Sequence, residues 1–89
     1  MKIKDGYILK AVAGNNIVVP VGTESLNLKA MIKINETGTV LWNLLRDGAD
    51  IEQLVGALQA EYLIDKEKAL SDCEKFVKSL REANILYDE

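Results

Sequence analysis

The first third of the chain has the short apolar runs and turn residues of β-strands. Residues 7–12 and 17–22 are rich in apolar and β-branched side chains, and the turn cluster 13–16 lies between them. Two strand-like runs around such a cluster are typical of a β-hairpin. Pro20 cannot donate to a strand ladder, so it is expected at an edge, a bulge or a strand end.

A third strand is predicted at residues 30–34 after a loop at residues 23–29. Side chains alternate between the two faces of a strand. Ala30, Ile32 and Ile34 therefore share one face, and Met31 and Lys33 share the other.

The remaining sequence predicts three helices, because apolar residues recur every three to four positions. Asn35 is the expected N-cap of the first helix, and Gly48 is its expected stop. Asp50 and Gln53 have the spacing of a capping box for the second helix, and Asp65 caps the third. The apolar stripe of the third helix comprises Ala69, Leu70, Cys73, Phe76, Val77, Leu80 and Ala83.

This order of elements predicts an α+β fold, a three-stranded antiparallel sheet followed by three helices. With 89 residues, the chain is expected to form a single domain over residues 1–89. The helices must cover one face of the sheet, because a lone sheet of three short strands is only marginally stable.

Charge and hydropathy narrow the expected environment and partners. The formal net charge is −3, which argues against nucleic-acid binding. The charge is uneven: residues 1–34 carry five lysines and two acids, whereas residues 35–64 carry one arginine and five acids. The sequence has no signal peptide and no run long enough for a membrane span, so a cytoplasmic location and no membrane partner are expected.

The residues that most often carry catalysis are missing. The chain has no histidine and a single cysteine, and it contains no phosphate-binding glycine loop. We therefore expect no enzyme activity, metal or cofactor. Cys73 is expected to be a small buried hydrophobe, and Trp42 a partly buried packing residue beside the leucine stripe of the first helix.

Two surface features have a structural and a functional interpretation. The edge strand at residues 30–34 is either guarded by Pro20 and Lys33 or left open for a guest strand. The stripe of the third helix spans roughly 140°, more than the roughly 100° that seats a helix on a core. Either the helix packs against several elements, or one border of the stripe, at Phe76 or at Val77, lines a groove.

Residues 32–48 resemble the signature of the PqqD-like family: a strand end, Asn-x-Thr-small, and an apolar-Trp-x-Leu-Leu helix that closes on Asp-Gly. The loop at 22–28, the segments 50–58 and 61–62, and the end of the last helix at 81–86 fit the same pattern. The resemblance implies a winged-helix-like fold. It also implies a role in making ribosomally synthesised, modified peptides, in which the name-giving member presents the precursor of pyrroloquinoline quinone to a radical S-adenosylmethionine enzyme.

The resemblance also implies where a leader peptide docks: as an extra strand beside the third strand, against the third helix. The residues carried over are Met31, Ile32, Lys33 and Ile34 on the strand, and Ala69, Asp72, Cys73 and Phe76 on the helix.

The leading hypothesis is thus a non-catalytic module that binds a precursor peptide through about four or five backbone hydrogen bonds and a few apolar anchors. Its modifying enzyme would contact a second surface, for which the acidic first and second helices are candidates. The open edge could also pair with itself in a homodimer. The alternatives are a winged-helix DNA-binding regulator, which a gel shift at low salt would reveal, and a small enzyme.

Overall fold

The computed structural model describes residues 1–88 as five strands and three helices. The strands are β1 (Lys2–Ile3), β2 (Tyr7–Val12), β3 (Asn15–Pro20), β4 (Lys33–Ile34) and β5 (Leu86–Tyr87). The helices are α1 (Glu36–Asp47), α2 (Ile51–Glu61) and α3 (Lys66–Glu82). Strands β2, β3 and β4 form an antiparallel sheet in that order, and β1 pairs with β5 in a separate two-stranded sheet. The predicted α+β fold, with a three-stranded antiparallel sheet followed by three helices, is confirmed.

The hairpin turn between β2 and β3 is tighter than predicted. Only Ala13 and Gly14 form the loop, with φ angles of 51° and 82°. Positive φ at both positions is characteristic of a type I′ turn, whose twist matches that of the flanking strands. Asn15 and Asn16 therefore belong to β3 rather than to the turn.

The predicted third strand at residues 30–34 is wrong in length. Residues Leu28–Ala30 form a 3-10 turn, and β4 contains only Lys33 and Ile34. The alternation of faces is nevertheless as predicted, since Ala30 and Ile34 are buried whereas Met31 and Lys33 are exposed. The chain thus reaches the sheet edge late, and it leaves a shorter edge than the sequence pattern indicates.

The two-stranded sheet of β1 and β5 was not predicted. A second correction concerns the burial of Trp42 in α1, the helix on which β1 packs. The N-terminal strand β1 packs on α1 as well as pairing with β5, and Ala49 after α1 donates its N–H to the carbonyl of Met1 (2.9 Å). Helix α1 is thus covered by β1, α2 and β4. Trp42, predicted to be partly buried, is only 1% exposed, in agreement with the coverage of α1 by three elements.

The predicted N-caps are confirmed for all three helices. The side-chain oxygen of Asn35 accepts the N–H of Gly38 (2.8 Å), and that of Asp65 accepts the N–H of Lys68 (2.7 Å). Asp50 and Gln53 form the reciprocal bonds of a capping box. These local bonds fix where each helix begins and hence the direction from which the chain enters it.

Helix α3 ends in a Schellman motif. Asn84 takes a positive φ of 60°, its N–H bonds the carbonyl of Arg81 (3.0 Å), and the N–H of Ile85 bonds the carbonyl of Leu80 (3.0 Å). The motif turns the chain so that Ile85 is fully buried and β5 can meet β1. Within residues 1–88, no helix combines the length and apolarity needed to cross a membrane.

Candidate peptide-binding groove

A groove runs between strand β4 and helix α3, with a volume of ≈ 500 Å³. Residues 32–34 form one wall and α3 forms the other, while residues from the start of α1 form the floor. We call this feature the α3–β4 groove. It follows the Phe76 border of the apolar stripe on α3, which decides between the two borders that the sequence left open.

The strand wall presents an unpaired backbone edge. Val18 donates its N–H to the carbonyl of Ile32 (2.9 Å), and Ile17 lies opposite Lys33 in the antiparallel register. Hydrogen-bonded and non-hydrogen-bonded pairs alternate along such a ladder, so Ile17 and Lys33 form a non-hydrogen-bonded pair. The N–H and C=O of Lys33 consequently point away from β3, toward the open side of the sheet.

This edge is short. Among residues 1–88, no strand pairs with the outer side of β4. The N–H of Met31 is already bonded to the carbonyl of Leu28 (3.2 Å). Within β4 itself, a guest strand would therefore find the N–H and C=O of Lys33, while the N–H of Met31 is not available to it.

The helix wall carries charged and polar side chains around one aromatic ring. Lys68, Asp72, Lys75 and Ser79 lie on one face of α3, with Phe76 half-buried between them. Lys68 forms an ion pair with Asp72 (3.0 Å) one turn along the helix.

The floor of the groove depends on a glycine in the first turn of α1. A Cβ added at Gly38 would lie 2.5 Å from Cγ2 of Ile34 and 3.1 Å from Cε1 of Phe76. The strand and the aromatic ring therefore approach α1 more closely than any other residue would permit. Leu41, one turn further on and fully buried, completes the apolar part of the floor, beside which Asn35 and Thr37 add polar groups.

The structure brings five of the predicted site residues together in the groove. The five are Ile32, Lys33, Ile34, Asp72 and Phe76. Met31 is 56% exposed but does not line the groove, and Ala69 and Cys73 have no exposed surface. The last two lie in the core, so a ligand could reach them only if α3 moved.

Cys73 has the properties of a structural residue. Its side chain is fully buried, and burial, with smaller contributions from the charges of Asp72 and Glu74, raises the pKa of the thiol to about 11. A thiol with a raised pKa is a poor nucleophile at neutral pH. The prediction that Cys73 is a small buried residue is confirmed.

The sequence reasoning missed the lysines of the helix wall. Lys68 and Lys75 line the groove together with Ser79. The spacing 68, 72, 75 and 79 follows one helix face, so a search for polar residues at helical spacing beside the stripe would have found them.

Within residues 1–88, the sheet has a second open edge, along β2. The two-residue turn and the bond from the N–H of Val21 to the carbonyl of Gly6 (2.7 Å) fix the alternation in the β2–β3 ladder. Ala11 falls opposite Asn16 in a non-hydrogen-bonded pair, so its N–H also points outward. Ala11 is thus the counterpart of Lys33 on the opposite edge of the same sheet.

These features define a class of small α+β domain in which a free strand edge faces a helix across a groove. The chain belongs to the family described as coenzyme PQQ synthesis protein D (PqqD), whose sequence model matches residues 17–86. The solved structure described as "TbiB1 in Complex with the TbiA(beta) Leader Peptide" has the same fold, with a TM-score of 0.75 and 24% identity over 100% of both chains. No curated protein sequence matches the chain.

Proposed function

We propose that the chain is a non-catalytic module that binds the leader segment of a precursor peptide by strand addition in the α3–β4 groove. The observation that carries the proposal is the outward-facing N–H and C=O of Lys33 beside the half-buried ring of Phe76. Membership of the PqqD family supports this role. So does the similar fold of TbiB1, whose structure is described as a complex with a leader peptide.

In the proposed complex, side-chain contacts contribute at least as much binding energy as the backbone hydrogen bonds. A hydrogen bond contributes about 0.5–1.5 kcal/mol net, and the backbone pair of Lys33 can make only about two such bonds with a guest strand. Burial of one large apolar side chain contributes about 1.5–3 kcal/mol. An apolar anchor on the half-buried side chains of Ile32 and Phe76 therefore contributes at least as much as the strand pairing.

The proposal includes an enzyme partner, because a binding module without chemistry of its own must deliver the peptide to a catalyst. We propose a radical S-adenosylmethionine enzyme, as the family resemblance implies. The acidic surface of α1 and α2, with Glu36, Asp47, Asp50, Glu52 and Glu61, is the proposed contact, since none of these acids lines the α3–β4 groove.

A matched pair of proline substitutions tests strand addition. Short peptides are selected from a random display library on the immobilised chain, and their affinities are measured by fluorescence anisotropy for the wild type, Lys33→Pro and Ala11→Pro. Each proline removes one outward N–H that makes no bond inside its own sheet. We expect Lys33→Pro to weaken binding about tenfold, from one lost hydrogen bond and the clash of the ring with the guest, and Ala11→Pro to leave it unchanged.

The outcomes are distinct. Circular dichroism and thermal melting first establish that both variants fold. Equal affinities for the wild type and Lys33→Pro would overturn strand addition on β4, and a loss confined to Ala11→Pro would move the site to β2. A dimer of the wild type that Lys33→Pro dissociates, with no peptide binding, would show that a second copy occupies the edge.

A further inference from the structure

The charge of the α3–β4 groove is opposite to that of the whole chain. The protein carries a formal net charge of −3, yet the charged residues that line the groove are three lysines and one aspartate. The lysines come from both walls, Lys33 from the strand and Lys68 and Lys75 from the helix. A groove with like charges on two facing walls concentrates its field on whatever lies between them.

Two of these lysines have no partner in the part of the chain that the structure describes. The single aspartate of the groove, Asp72, is engaged by Lys68 at 3.0 Å, whereas Lys33 and Lys75 form no ion pair within residues 1–88. The groove therefore holds two uncompensated ammonium groups beside an apolar floor.

We infer that the groove selects an acidic peptide segment, in which Asp or Glu side chains flank an apolar anchor. This inference rests on the proposed function and adds to it the chemical class of the guest. Alternate side chains of an extended guest lie on opposite faces, so an anchor on Phe76 and a carboxylate near Lys75 are both accessible to one short segment. The apolar floor and the free backbone edge favour a peptide over other polyanions.

The experiment compares charge-matched peptides and charge-matched proteins. Peptides selected on the wild type are sequenced, and the tightest is resynthesised with each Asp replaced by Asn and each Glu by Gln. Affinities of both forms are measured for the wild type, Lys33→Gln, Lys75→Gln and Lys78→Gln. Lys78 is the control, because it is an exposed lysine of α3 that does not line the groove.

We expect Asp and Glu to be enriched in the selected peptides. Each groove substitution should weaken the acidic peptide about two- to fivefold, as for exposed ion pairs, and should leave the amide form unchanged. Lys78→Gln should change neither affinity. The preference for the acidic form should shrink between about 0.05 M and about 1 M salt, because the Debye length falls to roughly 3 Å.

A charge reversal keeps the test independent of any loss of stability. The Lys75→Glu variant should not bind the acidic peptide. It should bind a form of the peptide in which each Asp and Glu is replaced by lysine better than it binds the acidic form. Peptides that depend on the Lys33 backbone but show no acidic preference would overturn the inference and leave the proposed function standing. If Lys33→Pro weakens the binding of no selected peptide, both the inference and the proposed function are overturned. Selective binding of single-stranded oligonucleotides in the groove would also overturn both.

Discussion

Gly38 is the position at which a single methyl group should disturb both the core and the α3–β4 groove. It lies in the first turn of α1, and its N–H is bonded to the Asn35 side chain. In Gly38→Ala the new Cβ would lie 2.5 Å from Cγ2 of Ile34, where carbon atoms normally stay about 3.5–4.0 Å apart. Ile34 is buried and β-branched, so it cannot turn away easily.

The expected free-energy change is the difference between two opposing effects. Alanine is favoured over glycine in a helix interior by about 1 kcal/mol. Overpacking a core by one methyl group costs about 1–3 kcal/mol, and the upper part of that range, about 2–3 kcal/mol, applies here because the gap must widen by about 1 Å. We expect Gly38→Ala to lower the free energy of unfolding by about 1–2 kcal/mol, and the melting temperature by about 5–10 °C for a domain of this size.

Gly56→Ala provides the matched control. Gly56 is exposed in α2, and an added Cβ would meet no atom within 4 Å. The same substitution there should raise the free energy of unfolding by about 0.5–1 kcal/mol. Urea unfolding followed by Trp42 fluorescence measures both variants. If Gly38→Ala proves as stable as Gly56→Ala, the close packing of α1 on β4 and Phe76 is not as described.

Two further predictions concern the cap of α1 and the buried thiol. Asn35→Ala removes the acceptor for Gly38 and should cost about 1 kcal/mol by urea unfolding, whereas Asn43→Ala, at an exposed position in the same helix, should cost nothing; equal losses would contradict the cap. Cys73 should react with Ellman's reagent at pH 8 only after unfolding, since its pKa is raised to about 11. The pKa of this thiol is raised to about 11 in the folded state, compared with 9.0 ordinarily, so the folded protein keeps the proton at pH values where the unfolded chain loses it. The contribution of the thiol to stability is therefore constant below about pH 9. It falls between pH 9 and about 11, by up to about 1.4 kcal/mol per pH unit. Cys73→Ala should lack this loss, and parallel pH profiles for the two proteins would refute it.

The sequence predicted those parts of the fold that are determined locally. Asn35, Asp50 and Asp65 cap helices through bonds to residues only three positions away, so their roles follow from spacing alone. The hairpin was likewise predicted, although the positive φ of Ala13 made its loop two residues instead of four. An alanine in that conformation carries no sequence signature, because glycine or asparagine normally occupies it.

Elements that depend on distant partners were not predicted. Strands β1 and β5 have two residues each, too few for any periodic pattern, and they exist because the two ends of the described chain meet. The length of β4 was overestimated for a related reason. Residues 30–34 alternate as a strand would, yet the turn at Leu28–Ala30 delays their entry into the sheet.

The candidate site shows the same contrast between what could be predicted from the sequence and what depends on the tertiary fold. The residues that line the strand wall could be named in advance, because the resemblance to the PqqD-like family implied docking beside the third strand and a short local pattern located that strand. On α3 the same resemblance implied Phe76 but also Ala69 and Cys73, which lie on the apolar stripe and pack into the core. Periodicity gives the direction of a side chain around the helix axis, but burial depends on what lies opposite, and that is a property of the tertiary fold.

The short edge of β4 has a consequence for specificity. Backbone hydrogen bonds are the same for every peptide sequence, so a long edge would bind extended segments with little discrimination. In the proposed complex, the outward backbone groups within β4 are those of Lys33, and the other contacts would come from the apolar residues around Phe76 and from the ammonium groups of Lys33 and Lys75. We therefore expect the proposed groove to discriminate between peptides by sequence, because side-chain contacts differ from one sequence to another. That is the property a module needs if it is to select one leader segment among the extended peptides of a cell.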